Sequence, residues 1–315
     1  MTHAFDVITM GRIGVDFYPT EHGSLVDVKH FDKFLGGSPT NVAVAAARLG
    51  ERSAVISRTG PDPFGAYIHA ALRNFGVDDR FVADCADSQT PVTFCETFPP
   101  DHFPIYFYRA PKAPDLEIHP SELDLDAIRE ARLFWATVSG LSMEPSRSAT
   151  MTALASRERS HPTVLDLDFR PSFWSSRDQA RNAARDALAL STIAIGNLSE
   201  VDVAVESDDP DVGADRLLEL GQEVVVVKLG PDGVLAKTSC ERIEVPSIVI
   251  EVVNGLGAGD AFGGAFCHGV LSGWSLDDTV RFASAAGAIV ASRLSCSEAM
   301  PTENEVRKLL EREQR

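Results

Sequence analysis

Short apolar runs that alternate with helical patterns constrain the fold of this chain more than any other feature. Mostly apolar runs predict buried strands at positions 5–10, 53–56, 133–136, 163–166, 193–195 and 224–227. Apolar residues at helical spacing separate most of these runs, over 64–75, 177–190 and 212–220. Continuous apolar strands between helices are typical of a parallel sheet that is covered on both faces. The sequence therefore predicts an α/β fold with a mostly parallel central sheet.

Two stretches depart from this alternation. Residues 15–35 and 91–109 are rich in β-branched and aromatic side chains, so we expect them to form a small antiparallel sheet outside the main layer. A chain of 315 residues is long enough for one large domain or two small ones. Because the sequence contains no linker, low-complexity segment or internal repeat, we expect a single domain over residues 1–315.

A glycine-dense turn lies between an apolar run at 248–253, which predicts a strand, and a helical pattern. The turn consists of Gly257-Ala258-Gly259-Asp260. Backbone N–H groups at a helix N-terminus form an anion site, because they lie at the positive end of the helix dipole. A carboxylate there would compete with a bound phosphate, and a purely structural turn does not need one. A turn that holds a phosphoryl group and also takes the proton of the attacking hydroxyl does need it. We therefore interpret Asp260 as a general base and the three preceding amides as donors to the transferred phosphoryl group. The alternative is an ordinary acidic residue in the first turn of a helix.

A second glycine segment, Gly36-Gly37-Ser38-Pro39-Thr40-Asn41, continues into an alanine-rich helix that Gly50 would terminate. Its glycines allow a ligand to approach the backbone closely. With both glycine motifs in this order, the chain resembles the ribokinase-like (PfkB-type) sugar kinases over nearly its whole length. The resemblance implies a three-layer α/β/α fold, a small β-sheet lid built from 15–35 and 91–109, and a homodimer that forms through the lid.

The resemblance also implies phosphorylation of a primary hydroxyl of a sugar by ATP with Mg²⁺. In such kinases the acid after the first strand and the asparagine of the glycine motif bind the sugar, which assigns Asp16, Asn41 and the adjoining Gly37 to the substrate. The position of Asp16 agrees with this role, because ligands of parallel sheets bind beyond the carboxyl ends of the strands. A solvated loop aspartate is the alternative.

Two arginines are candidates for binding an anion. Arg109 ends the second lid stretch, and Arg170 follows a predicted central strand. The planar guanidinium suits a carboxylate or a phosphate, and in sugar-acid kinases of the family arginines at comparable places contact the substrate or the transferring phosphate. Surface salt bridges are the alternative for both. Asp168 stands where the family pattern carries asparagine, so its role stays open.

One further segment implies a metal site. Asn197-Leu198-Ser199-Glu200 matches the Asn-x-x-Glu pattern of the family, in which Asn197 contributes to the nucleotide site and Glu200 binds Mg²⁺ through water. The alternative is a helix that begins with Ser199 as its N-cap and has Glu200 in its first turn, without any metal.

The nucleotide side is implied by the end of the valine-rich run. Lys228, Gly230 and Gly233 follow it, and in the family this segment lies near the phosphates or the ribose; on its own it is a plain turn. Many relatives bind K⁺ in the loop before the second glycine motif. Asn254 lies in that loop, where many relatives have aspartate and threonine, so K⁺ is an expectation and the role of Asn254 stays open.

Composition excludes several classes of partner. The net charge of −17 argues against nucleic acid and anionic membrane surfaces, since both require a basic footprint. No apolar run reaches the roughly 18 residues of a membrane span, and no basic stretch followed by an apolar core marks a signal peptide, so we expect a cytoplasmic protein. The 5 scattered cysteines, without a C-x-x-C pair, predict reduced thiols.

Within the family, three segments are most similar to kinases that phosphorylate the sugar acid 5-dehydro-2-deoxygluconate in myo-inositol breakdown: 108–115, 168–174 and 254–256. A sugar acid suits Arg109, Lys112 and Arg170 in an otherwise acidic protein. The close alternative is 2-keto-3-deoxygluconate, and the neutral substrates of fructokinases and ribokinases are less favoured because they require no cations. A catalytically silent sugar-binding regulator on the same fold is the alternative from another class; the presence of Asp260 argues against it.

Overall fold

The structure is a computed structural model that describes residues 4–100 and 102–313, so both ends of the expected domain and Asp101 in the second lid stretch lie outside the described residues. Its strands are β1 Val7–Met10, β2 Gly14–Pro19, β3 Phe31–Gly36, β4 Ser53–Thr59, β5 Val82–Asp84, β6 Val92–Cys95, β7 Ile105–Tyr108, β8 Leu133–Thr137, β9 Thr163–Asp166, β10 Ile193–Asn197, β11 Val224–Lys228, β12 Val234–Lys237 and β13 Arg242–Val245. Its α-helices are α1 Ser38–Arg48, α2 Pro63–Phe75, α3 Leu125–Glu130, α4 Ser146–Ser156, α5 Arg177–Leu188, α6 Leu198–Val205, α7 Pro210–Glu219, α8 Ala258–Leu271, α9 Leu276–Ala291 and α10 Glu303–Glu313.

A nine-stranded sheet forms the middle layer, in the order β13-β12-β11-β10-β9-β8-β1-β4-β5. All neighbours from β11 to β5 are parallel, whereas β12 is antiparallel to β11 and to β13. Successive side chains of a strand belong to opposite faces: in β8, Leu133 and Trp135 pack in one hydrophobic cluster, and Phe134 and Ala136 pack in the other. Burial on both faces explains why the predicted strands are continuously apolar.

Helices cover both faces of this sheet, which confirms the three-layer α/β/α architecture. One cluster contains buried residues of α1, α2, α8, α9 and α10, and the other contains those of α3 to α7. Helices α1 and α8 lie unusually close together, because α8 carries Gly264 at their contact. A methyl group at that position would come within 2.9 Å of the Ala46 backbone nitrogen. This close packing brings the N-terminal ends of the two helices together.

The remaining strands form the second sheet, in the order β3-β2-β6-β7, which we call the lid. It arises from the two stretches that interrupt the alternation of strands and helices, as the sequence predicts. The pairs β2–β3 and β6–β7 are antiparallel, but β2 and β6 are parallel. The expectation of a purely antiparallel sheet is therefore wrong, because β2 and β6 come from separate parts of the chain and no hairpin joins them.

One predicted strand is absent. Residues 248–253 lie in an extended connection after β13, and Val249 is 91% exposed. The N–H groups of Val253 and Asn254 donate to the carbonyl of Ala291 at the end of α9, at 2.9 and 3.1 Å, so they pair with a helix end instead of a strand. The other predicted strands and helices are confirmed within a few residues, whereas β5, β12 and β13 were not predicted.

Candidate active site

A cavity of about 370 Å³ lies between the lid and the carboxyl ends of the central strands. Most of the residues singled out in the sequence line it: Asp16, Gly37, Asn41, Arg170, Asn197, Glu200, Lys228, Gly230, Gly257, Gly259 and Asp260. Because the strands are parallel, their carboxyl ends meet at one edge of the sheet and bring together residues that are distant in the sequence. Three of the predicted site residues do not line the cavity: Ala258, Arg109 and Gly233.

Asp260 lies in the first turn of α8 and is held by two side chains of α1. Ser38 Oγ donates to Asp260 Oδ1 at 2.7 Å, and Asn41 Nδ2 donates to Asp260 Oδ2 at 2.8 Å. Asn41 is itself oriented by Ser297, whose hydroxyl donates to Asn41 Oδ1 at 2.7 Å. Burial raises the pKa of Asp260, while the hydrogen bonds from Asn41 and Ser38 oppose this rise. The result is a fixed carboxylate with increased proton affinity, as a general base requires.

The backbone before Asp260 forms the expected anion site. Gly257 is the N-cap of α8, with a φ angle of 82° and no side chain that caps the helix. A side chain at this position would be strained, and its Cβ would lie 2.7 Å from Cys296 Sγ. The first amides of α8, including that of Ala258, therefore stay available at the positive end of the helix dipole.

Lys228, the last residue of β11, places its ammonium group beside these amides. A methyl group on Gly259 would come 3.2 Å from Lys228 Nζ, so a glycine allows the contact. Burial lowers the pKa of Lys228, but nearby carboxylates outweigh it and raise the pKa above its ordinary value; they belong to Asp166, Glu200, Asp260 and Asp168. Lys228 is consequently a permanent cation in the cavity.

Arg170 is bound by two carboxylates. Its Nη2 lies 2.8 Å from Asp168 Oδ1, and its Nη1 lies 3.6 Å from Glu200 Oε1. The buried Asp168 also accepts a hydrogen bond of 2.7 Å from Ser139 Oγ, which fixes the carboxylate. The family pattern has asparagine at position 168. The aspartate of this chain instead supplies a charged partner that orients Arg170 toward the cavity.

The Asn197–Glu200 segment begins α6 with a capping box. Asn197 Oδ1 accepts from the Glu200 N–H at 3.0 Å, and Glu200 Oε2 accepts from the Asn197 N–H at 2.8 Å. Ser199 as the N-cap is therefore wrong, because the cap is Asn197. Burial raises the pKa of Glu200, with Lys228 and Arg170 opposing the rise. The other carboxylate oxygen, Oε1, lies 3.6 Å from Arg170 Nη1, and Glu200 lines the cavity, so this residue can act in the cap and at the site together.

Metal binding through protein ligands alone has no support in the described part of the chain. Among residues 4–100 and 102–313, no group of three or more His, Cys, Asp or Glu side chains could hold an ion directly. Mg²⁺ usually keeps several waters and needs only one or two carboxylates together with substrate phosphates. The cluster of Asp166, Asp168 and Glu200 around the cations fits that kind of water-mediated site.

Asp16 faces the cavity from the lid. Burial raises its pKa to about 6, although Arg12 and a hydrogen bond with Thr93 act in the opposite direction. Asp16 Oδ1 has no hydrogen-bond partner. Gly36, which packs against the carboxylate, leaves no room there for a side chain. An unpartnered buried carboxylate oxygen is suited to accept a hydrogen bond from a ligand hydroxyl.

Arg109 lies outside the cavity. It donates from Nη2 to Asp115 Oδ2 at 2.7 Å, both side chains are largely buried, and its guanidinium lies 5.1 Å from the centre of the Phe173 ring. Lys112 is paired as well, with Glu117 at 2.7 Å. The expectation that Arg109 contacts the substrate is thus not met by this arrangement, because a buried carboxylate already occupies its guanidinium.

Gly233 has a conformational role at the start of β12. Its φ angle is 97°, and a Cβ there would lie 2.9 Å from the Ser247 nitrogen. Gly230 does line the cavity, and together with Asn197 and Lys228 it also borders a second, more open cleft of about 460 Å³. This cleft adjoins the anion site and has room for the remainder of a nucleotide.

Several lining residues were not singled out from the sequence: Arg12, Tyr18, Ser38, Thr93, Cys95, Ile105, Phe107, Asp166 and Cys296. Some of them carried a usable signal. Arg12 lies two residues beyond the end of β1, where ligands of parallel sheets bind. In the lid, cavity-lining residues recur at every second position of a strand, such as Thr93 and Cys95 in β6, so strand periodicity would identify them once the facing side was known. Cys296 reaches the cavity only through tertiary packing.

The fold and the site define an enzyme that transfers a phosphoryl group to a hydroxylated small molecule bound under a lid. The chain belongs to the pfkB family of carbohydrate kinases, whose family model matches residues 4–303. A 5-dehydro-2-deoxygluconokinase of Photobacterium profundum is 37% identical over 308 residues, which are 94% of this chain and 92% of the relative.

Solved structures agree on the fold. A PfkB protein from Polaromonas sp. JS666 superimposes with a TM-score of 0.86 at 25% identity, over 96% of this chain and 99% of that one. A putative ribokinase II from E. coli in complex with ATP and Mg²⁺ gives a TM-score of 0.87 at 23% identity, over 98% and 99%. These similarities confirm the ribokinase-like fold expected from the sequence.

Proposed function

We propose that this carbohydrate kinase transfers the terminal phosphoryl group of ATP to the primary hydroxyl of a sugar acid, 5-dehydro-2-deoxy-D-gluconate. The observation that carries the proposal is the carboxylate of Asp260, held by Ser38 and Asn41 at the amino end of α8 and facing the cavity under the lid. The substrate is taken from the relative of that name, which is 37% identical over nearly the whole chain. An acidic substrate and the phosphates of ATP both require cations, and Arg12, Arg170 and Lys228 line the cavity.

We propose that a few groups of the cavity share the chemistry. Asp260 accepts the proton of the primary hydroxyl while the oxygen forms its bond to phosphorus and the bond to the leaving ADP oxygen breaks. The amides of Gly257, Ala258 and Gly259 and the ammonium of Lys228 stabilise negative charge on the transferred group. Such reactions depend on positioning and electrostatics more than on covalent catalysis.

The substrate is oriented at the lid side. Asp16 accepts hydrogen bonds from sugar hydroxyls, and Gly37 allows the sugar to lie against the backbone. The nucleotide is bordered by Asn197, Gly230 and Lys228. Gly233 shapes the turn that follows β11. Glu200 would hold Mg²⁺ through water, and the ion bound with ATP would neutralise phosphate charge.

A coupled assay of ADP release across a panel of sugars tests this proposal. We expect the highest kcat/KM for 5-dehydro-2-deoxygluconate, with 2-keto-3-deoxygluconate as a weaker substrate, and a preference of roughly 10–100-fold over uncharged analogues for each charged pair formed. Efficient phosphorylation of fructose or ribose without activity on any sugar acid would overturn the substrate assignment. Absence of phosphorylation of every sugar would favour a binding protein on the same fold.

A monovalent cation, K⁺, is proposed as an activator near the α8 turn. Asn254 is fully buried there, donates from Nδ2 to the Leu294 carbonyl at 2.6 Å and accepts from the Leu256 N–H at 3.1 Å. It therefore joins the loop before the anion site to the segment after α9, where a bound cation would order both. Replacement of K⁺ by tetramethylammonium should lower kcat; equal rates in the two salts would exclude an activating ion.

Dimerisation through the lid is proposed from its outer surface. The side chains that alternate with the cavity-lining ones include four aromatic residues: Phe17 and Phe94 are half-buried and stack at 5.0 Å, and Tyr106 and Tyr108 are 44% and 63% exposed. Exposed aromatic patches mark protein contacts. Sedimentation equilibrium should give twice the chain mass of 34.0 kDa, and Tyr106→Glu with Tyr108→Glu should give the monomer. A monomeric unmodified protein would refute the dimer.

A cytoplasmic location is proposed because the reaction consumes ATP and because all five cysteines are free thiols, as is usual in a reducing compartment. None of the helices within the described ranges is long and apolar enough to span a bilayer. Fractionation of cells that express the protein would test the location; recovery outside the cytoplasmic fraction would refute it.

A further inference from the structure

Three basic side chains line the cavity, and they differ in how they are paired. Lys228 lies among buried carboxylates beside the anion site, and Arg170 is bound by Asp168 and Glu200. Arg12 also lines the cavity, but within residues 4–100 and 102–313 its guanidinium forms no ion pair; its Nε, like that of Arg170, is buried without a hydrogen-bond partner. A buried donor without a partner is costly in a folded protein, which points to a ligand that supplies one.

The backbone of Arg12 is held firmly in place. Arg12 lies in the connection between β1 and β2, and its carbonyl accepts a hydrogen bond of 3.1 Å from Thr40 Oγ1 at the start of α1. Gly37 packs directly against the same carbonyl, so only a glycine fits there. The origin of the side chain is therefore fixed relative to the helix that also positions Asp260.

The guanidinium extends to the lid. Its central carbon lies 5.0 Å from the centre of the Phe107 ring of β7, another lining residue. An aromatic ring beneath a guanidinium holds its plane and leaves the donor edge free for a planar anion. Arg12 thus connects the body of the protein with the lid on the side of the cavity where Asp16 lies.

The charges of Arg12 and Arg170 act on different groups. Arg12 opposes the rise in the pKa of Asp16 and of Cys95, both in the lid. Arg170 is coupled to Asp168, Glu200, Asp260 and Asp166, which belong to the side of the anion site. Arg12 therefore acts on groups of the lid, whereas Arg170 belongs to the carboxylate cluster at the anion site.

We propose that Arg12 binds the carboxylate of the substrate and determines the specificity of this kinase for a sugar acid. The inference rests on the proposed function, since it names the residue that selects the acidic substrate. Arg109 and Lys112, the cations that the sequence offered for this role, are already paired with Asp115 and Glu117. A carboxylate is planar and accepts two parallel hydrogen bonds, which matches the free edge of a guanidinium.

The test compares two substrates: 5-dehydro-2-deoxygluconate and its neutral analogue, in which a hydroxymethyl group replaces the carboxylate. We expect Arg12→Met to lower kcat/KM for the acid by about 10–100-fold, mainly through KM, and to lower that for the neutral analogue about threefold at most. Arg12→Lys keeps the charge without the fork and should fall between Met and the unmodified protein. Calorimetric titration with the acid, in the absence of nucleotide, should show the same order of affinities.

Lys112→Gln is the matched control, because it removes a cation that is already paired outside the cavity. It should leave the preference for the acid unchanged. Equal losses for the acid and the neutral analogue in Arg12→Met, or an unchanged preference, would overturn the role of Arg12 while the unmodified enzyme still prefers the acid. An unmodified enzyme without any such preference would instead overturn the proposed substrate, and the role of Arg12 with it. Thermal unfolding of each variant separates either result from a loss of structure.

Discussion

Asp16 should decrease the stability of the folded protein at neutral pH, although the substrate needs it. Burial raises its pKa from 3.8 to about 6, so the folded protein binds this proton more tightly than the unfolded chain does. Stability consequently falls as the pH rises from about 4 to about 6 and stays at its lower value at higher pH. Asp16→Asn removes the ionisable group with little change of shape and should therefore stabilise the protein above pH 6.

The shift determines the size of the effect. A displacement of about two pKa units corresponds to about 3 kcal/mol, at about 1.36 kcal/mol per unit. Unfolding entropy of about 2.1 cal/mol/K per residue gives about 0.66 kcal/mol/K for a chain of 315 residues. Asp16→Asn should thus raise Tm by about 4–5 °C at pH 8, and the free-energy gain should fall to about half at pH 5.

Calorimetry of the two proteins at pH 8 and pH 5 measures this change in stability. Steady-state kinetics with the sugar measures the accompanying loss of substrate binding. The same substitution should raise KM for the sugar far more than KM for ATP, since a charged hydrogen bond contributes about 1.5–3 kcal/mol. Thr93→Val is a useful comparison, because it removes a hydrogen bond to the carboxylate and leaves the charge. A lower Tm of Asp16→Asn at pH 8, or a gain independent of pH, would refute the reasoning.

Three further predictions concern the anion site. Asp260→Asn should keep the fold and sugar binding but lower kcat about 10²–10⁴-fold, the range for a lost general base; near-normal turnover of the purified variant would contradict that role. Gly257→Ala should cost about 1–3 kcal/mol by denaturant titration and reduce kcat, because φ is 82° and the new methyl group would approach Cys296 Sγ; an unchanged midpoint would show that the turn adapts. Lys228→Met should destabilise the protein by about 3–5 kcal/mol at pH 8, because it leaves buried carboxylates without their cation. The loss should be smaller at pH 5, where the raised pKa values of Asp166 and Glu200 allow these carboxylates to be protonated. An equal loss of unfolding free energy at pH 8 and pH 5 in urea titrations would argue against this coupling.

Local patterns in the sequence determined the layers and the main motifs of this protein. A strand that is buried on both faces must be apolar along its length, so β8 and β11 could be located without a structure. The turn at 257–260 could be interpreted as an anion site from its own residues, because glycine conformation and a helix N-terminus are local properties. Asn41 of the first glycine motif lines the cavity, but only the resemblance to the kinase family pointed to it, because its local sequence does not show what its side chain contacts.

Tertiary structure decided which charges meet. Arg109 and Arg12 are similar in sequence terms, yet Asp115 neutralises the first, while the second reaches the cavity over Phe107. The run 248–253 is as apolar as a strand, but at its end the N–H of Val253 donates to the Ala291 carbonyl of α9 instead of to a neighbouring strand. Pairing of charges and of backbone groups depends on distances between segments far apart in the chain, whereas residue spacing encodes only which face of a strand or helix is buried.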